Sequence, residues 1–159
     1  MNLLEKEALI AEKAVSLEHE SPEAILKFAV ETFPNIAFAC SFGAEDVVLV
    51  DMLQKISPQT DIFYLDTDFH FKETYETRDR LEQKYGKKFI QVKPELTPEE
   101  QAAKYGEELW KSDPNKCCNL RKVEPLSKFL AGYEAWITGI RRDQAPTRAN
   151  AKKIEYDAK

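Results

Sequence analysis

The chain has 159 residues, a length that suits one domain, and 43% hydrophobic residues, enough for a buried core and too many for a disordered tail. No apolar run approaches the ~20 residues needed to span a bilayer, which excludes a membrane protein of helical type. The net charge of −5 disfavours nucleic-acid binding, but residues 116–159 hold 10 basic and 5 acidic side chains against 13 and 23 in residues 1–115.

That asymmetry points either to an anion site built from the last third or to a solvated basic face. The start, from Met1 to Glu7, is charged within a few residues and lacks the apolar stretch of a secretory signal, so the expected location is the cytoplasm. The three cysteines, Cys40, Cys117 and Cys118, do not make a disulfide framework. In a reducing compartment, paired cysteines are more often metal ligands or redox groups.

Residues 3–19 read as a charged amphipathic helix. Ser21-Pro22-Glu23 opens a second helix, with Ser21 as N-cap and Pro22 in the first turn, running to about Phe33. Asn35 to Cys40 is a short apolar run of strand type, and Ser41 to Asp46 follows as a tight loop. Val47 to Ile56 is apolar nearly all round, which predicts a helix buried on more than one side. Asp61 to Leu65 is a second strand, and Asp66 to His70 is the loop after it. Phe71 to Tyr85 is helical and stops at Gly86. Lys88 to Val92 is a third strand. Thr97-Pro98-Glu99-Glu100 is a capping box that starts a helix ending near Tyr105. Residues 106–118 have no clear period and read as a loop. Leu120 to Leu130 reads as helix, with Pro125 as a kink or the true start. Glu134 to Ile140 is a fourth strand, the residues from Arg141 onward read as a basic loop, and Ile154 to Tyr156 suggests one more strand.

Strands alternating with helices predict an α/β fold, a parallel sheet with helices on both faces. Ligands on such sheets bind at the carboxyl ends of the strands. Three polar loops lie there: residues 41–46, 66–70 and 141–148.

Each loop has a functional and a plain structural reading. A hydroxyl residue (Ser41), a glycine (Gly43) and a helix N-terminus together make an anion cradle, although many strand–helix turns hold a Ser and a Gly. Asp66, Thr67 and Asp68 offer acceptors for ribose hydroxyls, or Thr67 or Asp68 caps the next helix. His70 is more often a packing residue than a base. Cys117 and Cys118 suit thiolate ligation of an iron–sulfur cluster, with nearby Lys and Arg favouring the thiolate, but such a cluster needs more than two ligands. Cys40, at a strand end, reads as a small core hydrophobe. Arg141, Arg142 and Arg148 match phosphate and sulfate oxygens, or form a solvated basic loop.

Taken together these segments resemble the APS and PAPS reductase family. The resemblance rests on Ser-Phe-Gly-Ala-Glu-Asp (41–46), Leu-Asp-Thr-Asp (65–68), Lys-Tyr-Gly-Glu-Glu-Leu-Trp (104–110), Cys-Cys-Asn-Leu-Arg-Lys-Val-Glu-Pro-Leu (117–126) and Thr-Gly-Ile-Arg-Arg-Asp-Gln-Ala-Pro-Thr-Arg-Ala (138–149), in the family's order. It implies an adenine nucleotide alpha-hydrolase-like fold. It also implies thioredoxin-dependent reduction of adenylyl sulfate to sulfite and AMP, in sulfate assimilation and cysteine biosynthesis.

By the same resemblance Cys117 and Cys118 would ligate a 4Fe-4S cluster and mark adenylyl sulfate, not its 3′-phosphorylated relative, as substrate. Lys122 would lie between cluster and substrate. Ser41, Phe42, Gly43, Ala44, Glu45, Asp66, Thr67, Asp68, Gly139, Arg141, Arg142 and Arg148 would hold the phosphosulfate and nucleotide. The implied partners are adenylyl sulfate and thioredoxin or a similar dithiol, with homo-oligomerisation open and neither nucleic acid nor membrane expected.

The chain departs from the family in lacking its Cys-x-x-Cys pair and the terminal Glu-Cys-Gly that bears the nucleophile. Residues 1–159 are therefore expected to be a single nucleotide-binding reductase domain, incomplete at the C-terminus, with the cluster not fully ligated. The competing readings are an ATP-splitting adenylation or thiolation enzyme of the same fold and a non-catalytic nucleotide-binding fragment.

Overall fold

The computed structural model describes residues 1–157, so the last two positions of the expected domain lie outside it. Strands β1 (Ile36–Ala39), β2 (Asp61–Leu65), β3 (Ile90–Val92) and β4 (Ala135–Ile137) form a parallel sheet in the order β3-β2-β1-β4. β1 is thus central, flanked by β2 and β4, so the three loops leaving β1, β2 and β4 are neighbours.

Alternation along β1 divides the core in two. Phe38 and Cys40 face one side with Leu26 of α2 (Pro22–Thr32), Val50 and Leu53 of α3 (Ala44–Ile56), and Leu81 of α4 (Lys72–Tyr85). Ala37, with Phe63 of β2 and Val92 of β3, faces the other side and meets Leu126, Phe129 and Leu130 of α8 (Glu124–Leu130). The sheet is therefore covered by helices on both faces, as alternation of strands and helices requires. Phe38, Phe63, Leu53, Ile62 and Val50 are fully buried, each contributing about 1.5–3 kcal/mol of apolar transfer.

Start and stop residues act as the local chemistry demands. Ser21 accepts a hydrogen bond from the Ala24 N–H, and Thr97 with Glu100 forms a reciprocal capping box for α5 (Pro98–Tyr105). Gly86 ends α4 at φ 60°, where a side chain would be strained.

Several expectations are corrected. The helix α1 (Leu3–Ser16) is shorter than residues 3–19. α3 begins at Ala44, inside the expected loop. Residues 106–118 are not a plain loop: α6 (Leu109–Ser112) and α7 (Pro114–Cys118) occupy most of them. The missed signal is Asp113-Pro114, an N-cap whose carboxylate accepts from the Lys116 N–H, followed by proline in the first turn. Residues 154–156 form no strand, and β4 spans only residues 135–137 of the expected 134–140.

Between α7 and α8 the helix continues through a π-helical turn, Asn119–Val123, with Glu124 N–H donating to Asn119 O. Pro125 explains the widening: it lacks an N–H, and its ring would meet the carbonyl four residues back in a regular α-helix.

Candidate functional site

Loop 41–46 is built around a left-handed residue. Phe42 has φ 62°, and its ring packs on Tyr64 at 5.3 Å and Phe89 at 5.7 Å. Apolar burial thus holds a strained backbone, and the chain turns sharply out of β1 into α3. Gly43 is the N-cap of α3 and supplies no side-chain cap to the first turn. The helix therefore presents uncapped N–H groups and the positive end of its dipole at the sheet's carboxyl edge.

Asp46, 6% exposed, closes the loop from beneath, accepting from Ser41 N–H and Ser41 Oγ, both at 2.7 Å. Ser41 Oγ in turn accepts from Gly43 N–H at 3.3 Å. A Cβ on Gly139 would lie 1.8 Å from Asp46 Oδ1, so the exit of β4 reaches the loop only because residue 139 has no side chain. Two residues later Arg141 forms an ion pair with Glu45 at 2.7 Å.

The three guanidinium groups have different partners. Arg141 faces the cradle, while Arg148 donates to Gln144 Oε1 of its own loop at 2.5 Å. Arg142 donates to Ala151 O at 2.6 Å and pairs with Glu18 beyond α1.

The β2 loop is held from within. Asp66, 3% exposed, accepts from Tyr75 OH and Gln91 Nε2, both at 2.6 Å, and from Asp68 N–H at 3.0 Å. Burial alone would raise its pKa, but these hydrogen bonds and Lys93 outweigh burial and lower it. The Tyr75 hydroxyl is pushed up to about 12 by burial and by its bond to that carboxylate. Neither Thr67 nor Asp68 caps α4, whose N-cap is Phe71 with no side-chain bond. Asp68 sits instead at φ 64° and pairs with Arg121 at 2.7 Å. His70 Nε2 lies 2.7 Å from Leu65 O, a packing and hydrogen-bonding role.

Arg121 lies in the segment 117–126 but is not among the expected site residues. It is 2% exposed and donates to Thr67 O at 3.0 Å and to Leu96 O as well as to Asp68. The π-helical turn thus carries a buried cation that ties the cysteine segment to the β2 loop. No sequence signal separates it from its solvent-exposed neighbour Lys122, because only the fold decides which of the two points inward.

An open cleft of about 340 Å³ lies here, bounded by Thr67, His70, Cys117, Cys118 and Lys122, among others. Cys117 is buried and receives the Gln101 Nε2–H at 3.6 Å, while Cys118 is exposed, since consecutive helical residues diverge by about 100°. Among the described residues, no group of three or more His, Cys, Asp or Glu side chains is placed to hold a metal ion. Cys40 belongs to the core, and burial pushes its thiol up to about 12, with Asp46 adding to the rise and the Phe42 N–H opposing it.

These environments predict the order of thiol chemistry. Iodoacetamide at about pH 8 should label the exposed Cys118 first and Cys40 far more slowly, because Cys40 is buried and burial disfavours its thiolate. Peptide mass analysis of the native chain checks this; early labelling of Cys40 would contradict the buried placement.

Comparison with known proteins bears on this arrangement. The family model described as phosphoadenosine phosphosulfate reductase domain matches residues 35–159. Adenosine 5′-phosphosulfate reductase of Halalkalibacterium halodurans is 48% identical over 144 residues, covering 89% of this chain and 62% of that protein. The Staphylococcus epidermidis protein of the same name is 47% identical over 155 residues, covering 96% and 64%. The chain therefore spans somewhat under two thirds of the length of these relatives. A crystal structure of phosphoadenylyl-sulfate (PAPS) reductase from Candida auris, a phosphate complex, superposes with a TM-score of 0.76 at 34% identity, covering 86% of this chain and 68% of that one. The likeness shows the expected nucleotide alpha-hydrolase-like fold.

Proposed function

The chain belongs to the phosphoadenosine phosphosulfate reductase domain family, and from that premise we propose that residues 1–159 form the nucleotide- and phosphosulfate-binding domain of an adenylyl-sulfate reductase. The observation that carries the reading is the meeting of three polar loops at the carboxyl ends of adjacent strands β2, β1 and β4. The pair Cys117-Cys118 supports adenylyl sulfate over its 3′-phosphorylated relative, by resemblance to family members that carry such a pair. A cytoplasmic setting fits this chemistry.

In this reading Ser41, Phe42, Gly43, Ala44 and Glu45 shape the cradle, whose N–H groups face the anionic end of the substrate. Gly139 lets Arg141 approach, and Arg141 exchanges Glu45 for a substrate oxygen. The loop Asp66-Thr67-Asp68 forms the neighbouring wall on the nucleotide side. Arg142 and Arg148 contribute positive charge at longer range. Lys122, on the cleft between that wall and the cysteine pair, offsets charge on the reacting group. A cysteine thiolate that residues 1–159 do not supply, borne in the family on a terminal Glu-Cys-Gly, attacks the sulfur of the phosphosulfate; the S–O bond to the nucleotide phosphate breaks, AMP leaves with the electron pair, and an S-sulfocysteine remains. One thiolate of thioredoxin or a similar dithiol then attacks the cysteine sulfur, the S–S bond breaks and sulfite leaves with the electron pair, and the second thiol closes the dithiol's disulfide and frees the cysteine.

The residues present meet only half of a cluster's needs. A 4Fe-4S cluster takes four thiolates; this chain offers Cys117 and Cys118, and its third cysteine, Cys40, is committed to the core.

Titration calorimetry with AMP and with adenylyl sulfate tests the site. Both should bind, and Arg141→Ala with Ser41→Ala should weaken binding by about tenfold or more. Unchanged affinity in the double variant would refute the site assignment. Pyrophosphate release from ATP would instead favour the ATP-splitting class.

A further inference from the structure

We infer that Asp46 is the positioning residue of the anion cradle: its carboxylate sets the loop geometry and joins the loop to the strand end that carries Arg141. The inference rests on the nucleotide site proposed above.

The argument begins with Ser41. Its hydroxyl lies 2.7 Å from Asp46 Oδ2, an acceptor without a proton to give, so the hydroxyl hydrogen points at the carboxylate. The same Oδ2 takes the Ser41 N–H, and Ser41 Oγ takes the Gly43 N–H. Ser41 therefore spends its proton inside the protein and has none to offer a phosphate or sulfate oxygen. What remains for an anion is the backbone N–H groups of the loop and the first turn of α3.

The electrostatics point the same way. A buried carboxylate beneath an anion cradle opposes a second negative charge, so Asp46 cannot favour the ligand by its charge. Its contribution has to be geometric. The carboxylate is itself stabilised by the N-terminal turn of α3, in which it stands third, so its position follows from the helix.

The other oxygen makes the second link. Asp46 Oδ1 lies where a Cβ on Gly139 would have to be, only 1.8 Å from that ideal position. One side chain thus touches the β1 loop through Oδ2 and the β4 exit through Oδ1. Arg141, two residues after Gly139, meets Glu45, one residue before Asp46. The cradle and the guanidinium therefore keep their separation through Asp46.

The test is calorimetry of the full chain with AMP and with adenosine, which differ in the 5′ anion. Asp46→Ala should weaken AMP by about tenfold or more and change adenosine by less than about twofold. Asp46→Asn can keep an acceptor for both Ser41 donors and should stay within about threefold of the unmodified chain for AMP. Should Asp46→Ala not fold, Gly139→Ala, which displaces the carboxylate, carries the same selective loss.

Equal weakening of AMP and adenosine would reduce Asp46 to a folding role and overturn the inference. So would an Asn variant as poor as Ala, which would assign the effect to charge, or AMP binding untouched in the Ala variant. If the unmodified chain bound no AMP, the nucleotide site itself would fail, and the inference with it.

Discussion

Arg121→Met is expected to destabilise the protein by about 3 kcal/mol and to loosen the cleft beside the cysteine pair. Arg121 is 2% exposed, and its guanidinium serves three acceptors on two separate segments: Thr67 O, Asp68 and Leu96 O. A methionine fills much of the volume but leaves the Thr67 and Leu96 carbonyls without this donor and Asp68 with Lys93 as its remaining cation. Removing one member of a buried pair costs roughly 3–5 kcal/mol, and the lower end applies because Asp68 keeps 26% of its side chain in solvent. Denaturant unfolding measures the loss. The adjacent Lys122→Met is the control, expected within about 0.5 kcal/mol because Lys122 is exposed. Faster labelling of Cys117 in Arg121→Met, but not in Lys122→Met, would show that the strut holds the cysteine helix against the β2 loop. Equal stability of the two variants would show that it does not.

Gly139→Ala should cost about 1–3 kcal/mol, a fall of about 2–12 °C in Tm for a domain of this size. The added methyl would sit 1.8 Å from Asp46 Oδ1 and 3.0 Å from Asp46 Cγ, so something must move. The carboxylate is not a loose side-chain end, because Ser41 holds it at two points. Gly132→Ala is the matched control: its nearest contact would be Phe129 O at 3.9 Å, an ordinary separation. Combining Gly139→Ala with Asp46→Ala removes the group that clashes, so the two losses should not add. Calorimetric melting of the four variants decides the matter, and additive losses would place the cost of Gly139→Ala somewhere other than Asp46.

Much of the architecture was legible in the order of residues because the relevant signals are local. Ser21-Pro22, the box from Thr97 to Glu100 and the stop at Gly86 act within one turn of helix, and each appears where expected. Strand β2 was found at its full length, Asp61–Leu65, because its run is bounded clearly on both sides. The helices at residues 109–118 were missed because Asp113-Pro114 is a short signal inside a stretch with no apolar period. α3 starts earlier than its apolar run because a cap position is set by the turn that precedes it, and that turn depends on Phe42 packing against Tyr64 and Phe89.

The sequence by itself determined the alternation of strands and helices, hence a parallel sheet whose polar loops gather at one edge, and it supplied the ordered motifs that place the chain in its family. Only the tertiary structure decided what each polar side chain in those loops does. Asp66 reads as an open acceptor in sequence, yet Tyr75, nine residues on, and Gln91, on the neighbouring strand, each donate to it. Arg141, Arg142 and Arg148 read as one cluster, yet Ala151 O and Glu18 take Arg142, Glu45 takes the Arg141 guanidinium, and Gln144 Oε1 accepts from both Arg148 and the Arg141 N–H. Asp46 and Gly139 are 93 positions apart and carry no joint signal, yet they share one contact that sets the cradle. The reason is physical: periodicity and capping are settled by neighbours in the chain, whereas a hydrogen bond is settled by whichever partner the packed sheet brings within 3 Å.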